Sequence, residues 1–242
     1  MIVIKLDAIK STNEYLKALA KEKPLENFTT VIAKNQTNGK GQMGAIWVSE
    51  EGKNLTMSVL VKDVLSSHDA IFSLNVSVAL AVVKVLQELE IPKVSIKWPN
   101  DIMADSKKLG GILIESTLKS DGSTISIIGI GINCNQTNFV NLPKATSLLL
   151  EMKQEIAPEI LMEKIVKMLQ QQISIIPKQA VFLWQHYHEL LFKKGVPMAF
   201  ETTNGTRFMG IIERVTHDGK LELLLEDDTL ENFGIKEIQM LY

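Results

Sequence analysis

Apolar positions along this chain change their period several times, and each change predicts an element. Residues 3–6 are mostly apolar and read as a short strand. Ser11-Thr12-Asn13-Glu14 then fits a capping box, in which the Ser11 hydroxyl meets the Glu14 amide. Tyr15, Leu16, Leu19 and Ala20 follow at helical spacing, so a helix begins near Ser11. Residues 29–33 and 55–61 are rich in apolar and β-branched side chains and read as strands. Between them, 36–47 is a polar, glycine-rich loop. Asp69 can cap a helix over 70–89 that is apolar on both faces and therefore central. Residues 94–98 form a strand that enters a turn at Pro99-Asn100-Asp101. Strands over 109–118 and 123–133 flank Lys119-Ser120-Asp121-Gly122, whose Asp-Gly step signals a hairpin. Pro158 suits a helix start, with Ile160, Leu161, Ile165, Met168 and Leu169 as one stripe behind it. A second helix over about 178–193 carries Phe182, Leu183, Trp184, Tyr187, Leu190 and Leu191, a stripe that suits a core between two domains.

At Gly195 the pattern shortens. Brief strands alternate with turns at Asn204-Gly205, Asp218-Gly219 and Asp227-Asp228, which is the pattern and size of an SH3-like β-barrel. The predicted division is 1–194 and 195–242. A chain of 242 residues, 45% apolar and 22% charged, excludes a disordered protein and needs no disulfide or metal staple. The 26 Lys+Arg nearly balance 28 Asp+Glu, which excludes a generally basic, polyanion-coating protein but not a local basic site. Cys134 stands alone and fits a reducing compartment. The first six residues are too short for a signal-peptide core, and the stretch 76–89 is too short and polar to span a bilayer. A soluble, cytoplasmic protein is expected.

Four constellations carry candidate chemistry. Gly39-Lys40-Gly41-Gln42-Met43-Gly44, closed by Trp47, lets backbone amides approach an anion, with Lys40 as a cation; a mobile surface loop is the plain alternative. It lacks the spacing of a Walker A loop and of the Rossmann glycine fingerprint. Lys97-Trp98-Pro99-Asn100-Asp101 precedes Lys107-Lys108-Leu109-Gly110-Gly111. Turn chemistry accounts for Asn-Asp, but paired glycines in a strand imply a close backbone or ligand. Ile128-Gly129-Ile130-Gly131-Ile132-Asn133 leaves one strand face bare, either for a closely packed helix or as a platform for a ring or sugar. Ser11-Thr12-Asn13 is a helix cap or a set of polar groups facing a small ligand. The histidines at 68, 186, 188 and 217 have no metal-site spacing.

In this order and spacing, the four constellations resemble the biotin–protein ligases, the biotin–[acetyl-CoA-carboxylase] ligases. The stretch from Lys97 to Asp101 with Lys108-Leu109-Gly110-Gly111-Ile112-Leu113 is the most specific part. The resemblance implies an α/β catalytic domain of class II synthetase type. Its mixed, mostly antiparallel sheet is flanked by helices and followed by the SH3-like barrel. It implies that biotin and MgATP form biotinyl-5′-adenylate and pyrophosphate. The ε-amine of a lysine on a biotin carboxyl carrier protein then displaces AMP. Ser11, Thr12, Asn13, Gln36, Gly39, Lys40, Gly41, Gln42, Lys108 and Gly111 would surround biotin. Lys40, Gln42, Trp47, Asn100, Lys108, Ile132 and Asn133 would surround the nucleotide. Lys108 would bridge the carboxylate and α-phosphate, aided by Lys40, and Asp101 would orient or deprotonate the incoming amine. Asn133 would lie at Mg²⁺, with Asp101 nearby. The glycine loop would close as a lid.

Two departures stand out. The family's loop is often arginine-rich, whereas this one holds Lys40, Gln42, Met43 and Ala45. Ten residues before Ser11 leave no room for the DNA-binding domain some members carry, so no nucleic-acid or membrane partner is expected. A homodimer stays open. The rivals are a lipoate–protein ligase, whose arginine-rich segment and Gly-Gly-Gly run are absent here, and a non-catalytic binding module.

Overall fold

The computed structural model describes residues 2–64, 70–118, 123–140 and 142–242. In chain order the first half gives β1 (Val3–Ile9), α1 (Thr12–Glu22), β2 (Thr30–Gln36), β3 (Leu55–Lys62), α2 (Ala70–Glu88), β4 (Val94–Lys97), β5 (Asp101–Ala104), β6 (Lys107–Leu118) and β7 (Thr124–Ile132). These strands form one seven-stranded sheet in the order β1-β2-β3-β7-β6-β5-β4. Only β1 and β2 pair in parallel; the other neighbours are antiparallel.

The alternation of side chains across the sheet assigns its two faces. Leu16 of α1 packs with Val31, Leu60 and Ile127 on one face. Ile128, Ile130 and Ile132 of the same β7 point the other way, into a larger core with α2 and α4 (Pro158–Glu189). The sheet is thus covered on both sides, and β3 at its centre is buried along nearly its whole length. α1 starts as its cap pattern requires, with Ser11 Oγ accepting from the Glu14 amide.

After α4 a second antiparallel sheet follows: β8 (Pro197–Thr202), β9 (Arg207–Val215), β10 (Leu221–Leu225), β11 (Leu230–Phe233) and β12 (Ile238–Leu241), ordered β11-β10-β9-β8-β12. Its size and pattern fit the expected SH3-like module. Gly205 and Gly219 take φ of +85° and +87° in the turns where glycine was expected to be needed. Buried residues of the two sheets join in one cluster. Trp98 Nε1 donates to the Gly219 carbonyl at 2.9 Å, and the Trp184 and His217 rings meet at 4.5 Å.

Several expectations need correction. Asp101–Ala104 is a strand, not the end of a turn; four residues beginning with a turn-former carry little strand signal. The two helices expected beyond Pro158 are present within Pro158–Glu189, separated by a break at Gln179 (φ −136°), close to the start expected for the second. Phe182 is exposed at 61%, while Leu183, Trp184, Tyr187 and Leu191 are buried. A short helix, α3 (Leu148–Met152), had no forecast. The Asp69 cap and the turn at 119–122 lie outside the described residues. Among the described residues, no helix is long and apolar enough to cross a membrane.

The paired glycines of β6 are not equivalent. A Cβ on Gly110 would lie 2.5 Å from Ile132 Cδ1 and 2.6 Å from the Gly131 carbonyl oxygen, whereas one on Gly111 meets nothing closer than 3.7 Å. Gly110→Ala is expected to cost about 1–3 kcal/mol by overpacking. Gly111→Ala should change stability by less than about 1 kcal/mol. Urea unfolding of the two variants measures the contrast; equal losses would contradict this packing.

Candidate active site

A cavity of about 340 Å³ opens where the start of α1, the glycine loop, the β4–β5 turn and the second sheet meet over β6 and β7. Its floor is a strip without side chains. Gly111 pairs with Gly131 across β6 and β7, and Gly129 follows two residues along the same face. A Cβ on Gly129 would lie 2.5 Å from Asn13 Oδ1, and one on Gly131 would lie 2.6 Å from the Trp47 indole. The bare face therefore admits both a helix terminus and an aromatic ring.

The α1 terminus is held by a polar network. The Thr12 amide and hydroxyl donate to Gln36 Oε1 at 2.8 and 3.0 Å. The Ser58 hydroxyl lies 2.8 Å from that of Thr12 and 2.6 Å from Asn13 Oδ1. Asn13 Nδ2 donates to Glu115 Oε2 at 2.9 Å. With its oxygen occupied twice, Gln36 keeps its amide NH₂ as a donor for the cavity.

The glycine loop is folded on itself. The Gly41 amide donates to the Ala45 carbonyl at 2.7 Å, and the Trp47 amide donates to the Gly39 carbonyl at 2.9 Å. Between them Gln42–Gly44 make a 3₁₀ turn with Met43 left-handed at φ 53°. Lys40 pairs with Glu14, and Lys236 reaches from the second sheet to donate to the Met43 carbonyl at 2.6 Å. Gln42 Oε1 and Trp47 Nε1 are buried without a hydrogen-bond partner. Such orphans are rare in native proteins, and both residues line the cavity, where a ligand can supply the missing partners.

The third wall carries charge. Asp101, with a side chain 16% exposed, accepts from Lys108 Nζ at 2.5 Å and pairs with Lys97 Nζ at 3.6 Å. Burial draws the Lys97 pKa below the ordinary lysine range; Asp101 opposes this and Lys108 adds to it. Asn100 locks the turn that follows the cis Trp98–Pro99 bond. Its Nδ2 donates to the Ile112 carbonyl at 2.7 Å. Lys108 is anchored through its backbone, whose N–H donates to the Lys144 carbonyl at 2.7 Å. Among the described residues lining the cavity, Lys40, Lys97, Lys108 and Lys236 face a single carboxylate, that of Asp101. A protein of net charge −2 thus holds a cationic pocket suited to an anionic ligand.

Most of the residues singled out in the sequence converge here: Ser11, Thr12, Asn13, Gln36, Lys40, Gly41, Gln42, Trp47, Asn100, Asp101, Lys108 and Gly111. Three do not line the cavity. Gly39 sits behind the loop, bonded to Trp47. Ile132 points through the sheet into the other core, as period-two alternation from Gly131 demands. Asn133 is buried past the end of β7, with its Nδ2 donating to the Thr146 carbonyl at 2.9 Å. Among the described residues no group of three His, Cys, Asp or Glu could hold a metal, and Asp101 is already shared by two lysines.

Sequence reasoning overlooked Ser58, Glu115, Lys97 as a cavity residue, and Lys236. Thr56 and Ser58, small polar residues in the buried strand β3, were a signal for the first. Lys236 had none.

Comparisons with known proteins agree with one another. Residues 6–133 match the model of the biotin/lipoate A/B protein ligase family. Over 130 residues the chain is 38% identical to the bifunctional ligase/repressor BirA of Bacillus subtilis, covering 54% of this chain and 39% of that protein. Over 142 residues it is 33% identical to the biotin–[acetyl-CoA-carboxylase] ligase of Mycobacterium tuberculosis, covering 57% of this chain and 52% of that one. The matched stretch thus spans about two fifths to half of these relatives. The structure of the Aquifex aeolicus biotin protein ligase in complex with biotin and ATP superposes with a TM-score of 0.80 at 25% identity, covering 99% of this chain and 98% of that one.

The lowered Lys97 pKa has a consequence for stability. Below its usual value near 10.5 the unfolded chain holds a proton on this lysine more firmly than the folded protein does. Unfolding then takes up protons, so this group's contribution to stability rises with pH toward that value. Stability of wild type minus that of Lys97→Met should therefore increase through the alkaline range below about 10.5. Urea midpoints at several pH values measure it; a flat or falling difference contradicts the burial of this ammonium.

Proposed function

The chain belongs to the biotin/lipoate A/B protein ligase family, and on that premise we propose that it couples biotin to a protein lysine through biotinyl-5′-adenylate. In the first step a carboxylate oxygen of biotin bonds to the α-phosphorus of ATP, and pyrophosphate leaves with the electrons of the broken P–O bond. In the second, the neutral ε-amine of a lysine on a biotin carboxyl carrier protein bonds to the acyl carbon. AMP leaves and the amine loses its proton. The single observation that carries this reading is Lys108, held by Asp101 on the wall of a lysine-rich cavity.

The residues suit the chemistry. The first step brings two anions together, and their repulsion must be offset by fixed positive charge. Lys108 supplies it at the junction, while Lys40 stands at the glycine loop. The biotin end needs matched donors and acceptors in a dry pocket. Ser11, Thr12 and the NH₂ of Gln36 offer these beside the bare strip at Gly111 and Gly129. The Trp47 ring, 5.9 Å from Lys108 Nζ, gives the nucleotide an aromatic surface, with Asn100 and Gln42 nearby. The ordered loop acts as a lid that excludes water from the mixed anhydride. Any Mg²⁺ arrives on the nucleotide phosphates, with water completing its shell.

In the same reading residues 1–194 form the catalytic domain and 195–242 a module that closes one side of the cavity through Lys236, Ile238 and Met240. The buried Cys134 is compatible with a cytoplasmic setting. Biotin is favoured over lipoate because the Mycobacterium relative and the Aquifex structure reported above are named as biotin ligases.

Lys108→Ala should lower biotin-dependent exchange of pyrophosphate into ATP by at least about a hundredfold. Its far-UV circular dichroism should stay that of the wild type. Full exchange activity in the variant would remove Lys108 from this role. Exchange with lipoate but not biotin would replace the reading with that of a lipoate ligase. Transfer to a carrier domain tests the second step.

A further inference from the structure

Asp101 has two partners and one of them must leave. Lys108 binds its Oδ1 at 2.5 Å, while Lys97 approaches Oδ2 at 3.6 Å. To meet an incoming carboxylate and phosphate, Lys108 has to loosen its hold on Asp101. That would leave a largely buried carboxylate, 16% exposed, in want of a counter-charge. A buried carboxylate without a partner is strongly unfavourable, so a second cation must stand ready.

Lys97 is placed for this, and it is held from above. Tyr242, just beyond β12, puts its ring 5.2 Å from Lys97 Nζ and 4.2 Å from Lys144 Nζ. Phe192 braces the ring edge-on at 5.2 Å. Lys144 also donates to the Tyr242 carbonyl, and its own carbonyl receives the backbone N–H of Lys108. The Lys97 side chain is 19% exposed, against 38% for Lys108, so the capped lysine is the fixed one and the cavity lysine has room to move. An aromatic face attracts an ammonium and keeps water from it.

We propose that Lys97, clamped beneath the Tyr242 ring, is the standing counter-ion of Asp101 that releases Lys108 for the anionic substrates. Tyr242 is then a positioning residue: it acts on the reaction through Lys97 and touches no substrate. The inference rests on the adenylation reading above. It gives the second sheet a share in the chemistry of the first, through a contact between strand ends far apart in sequence.

The test compares Tyr242→Leu, which keeps apolar bulk but removes the aromatic face, with Tyr242→Phe, which keeps the face. Trace acetylation with acetic anhydride, read by mass spectrometry at Lys97, needs no substrate. Leu is expected to speed labelling of Lys97 about fivefold, and Phe to leave it unchanged. In adenylate formation Leu should lower kcat about tenfold with KM for biotin and ATP within about twofold, and Phe should restore kcat. Lys97→Met should show the same split without any change at Tyr242. Unchanged labelling and kcat in the Leu variant overturn the proposal, as does a Phe variant as impaired as Leu. If the wild type forms no adenylate, the catalytic part falls with the reading it rests on, while the labelling contrast still decides whether Tyr242 covers Lys97.

Discussion

The site depends first on side chains that are absent. Gly111, Gly129 and Gly131 lie together on one face of two neighbouring strands, and the sheet is bare there. Asn13 and Trp47 occupy the space that two of them leave, at distances where a Cβ would collide. The α1 terminus and the glycine loop can therefore approach the sheet backbone, and the cavity forms between them. A side chain at either position would push back both a wall and the polar network behind it.

On this floor the charges divide into fixed and movable ones. Asp101 and Lys97 are sunk among buried neighbours, and Lys97 loses part of its affinity for a proton in consequence. Lys108 and Lys40 are more exposed and are paired with carboxylates in this state. Anionic substrates compete with those carboxylates. The positive charge of the pocket is thus partly compensated before a ligand enters, with Asp101 and Glu14 set against its lysines. The partnerless Gln42 Oε1 and Trp47 Nε1 mark the opposite condition, polar groups still waiting for partners.

Much of this was legible in the sequence, for identifiable reasons. The strands and α2 were visible as apolar runs and the α1 start as a cap pattern. For Ser11-Thr12-Asn13 both readings hold at once: Ser11 caps the helix, and all three line the cavity. The Ile-Gly alternation likewise serves as close packing at Gly129 and as an open platform at Gly131. Errors arose where a local rule was stretched. Phe182, Leu183 and Trp184 are consecutive, and at about 100° per residue they cannot all face one core. Lys236 and Tyr242 were beyond reach for another reason. Lys236 meets Met43 across 193 residues, and no spacing rule joins such positions.

The continuous core between the sheets has a thermodynamic meaning. Trp98 bonds to Gly219, Phe72 fills the space beside that glycine, and buried residues run unbroken from α2 into β9 and β10. Units joined in this way tend to unfold in one cooperative transition. A ligand that binds only the folded cavity then protects distant strands by mass action, through the shared folding equilibrium. Amides of β9, none of whose residues lines the cavity, would report occupancy of the cavity as faithfully as the residues that line it.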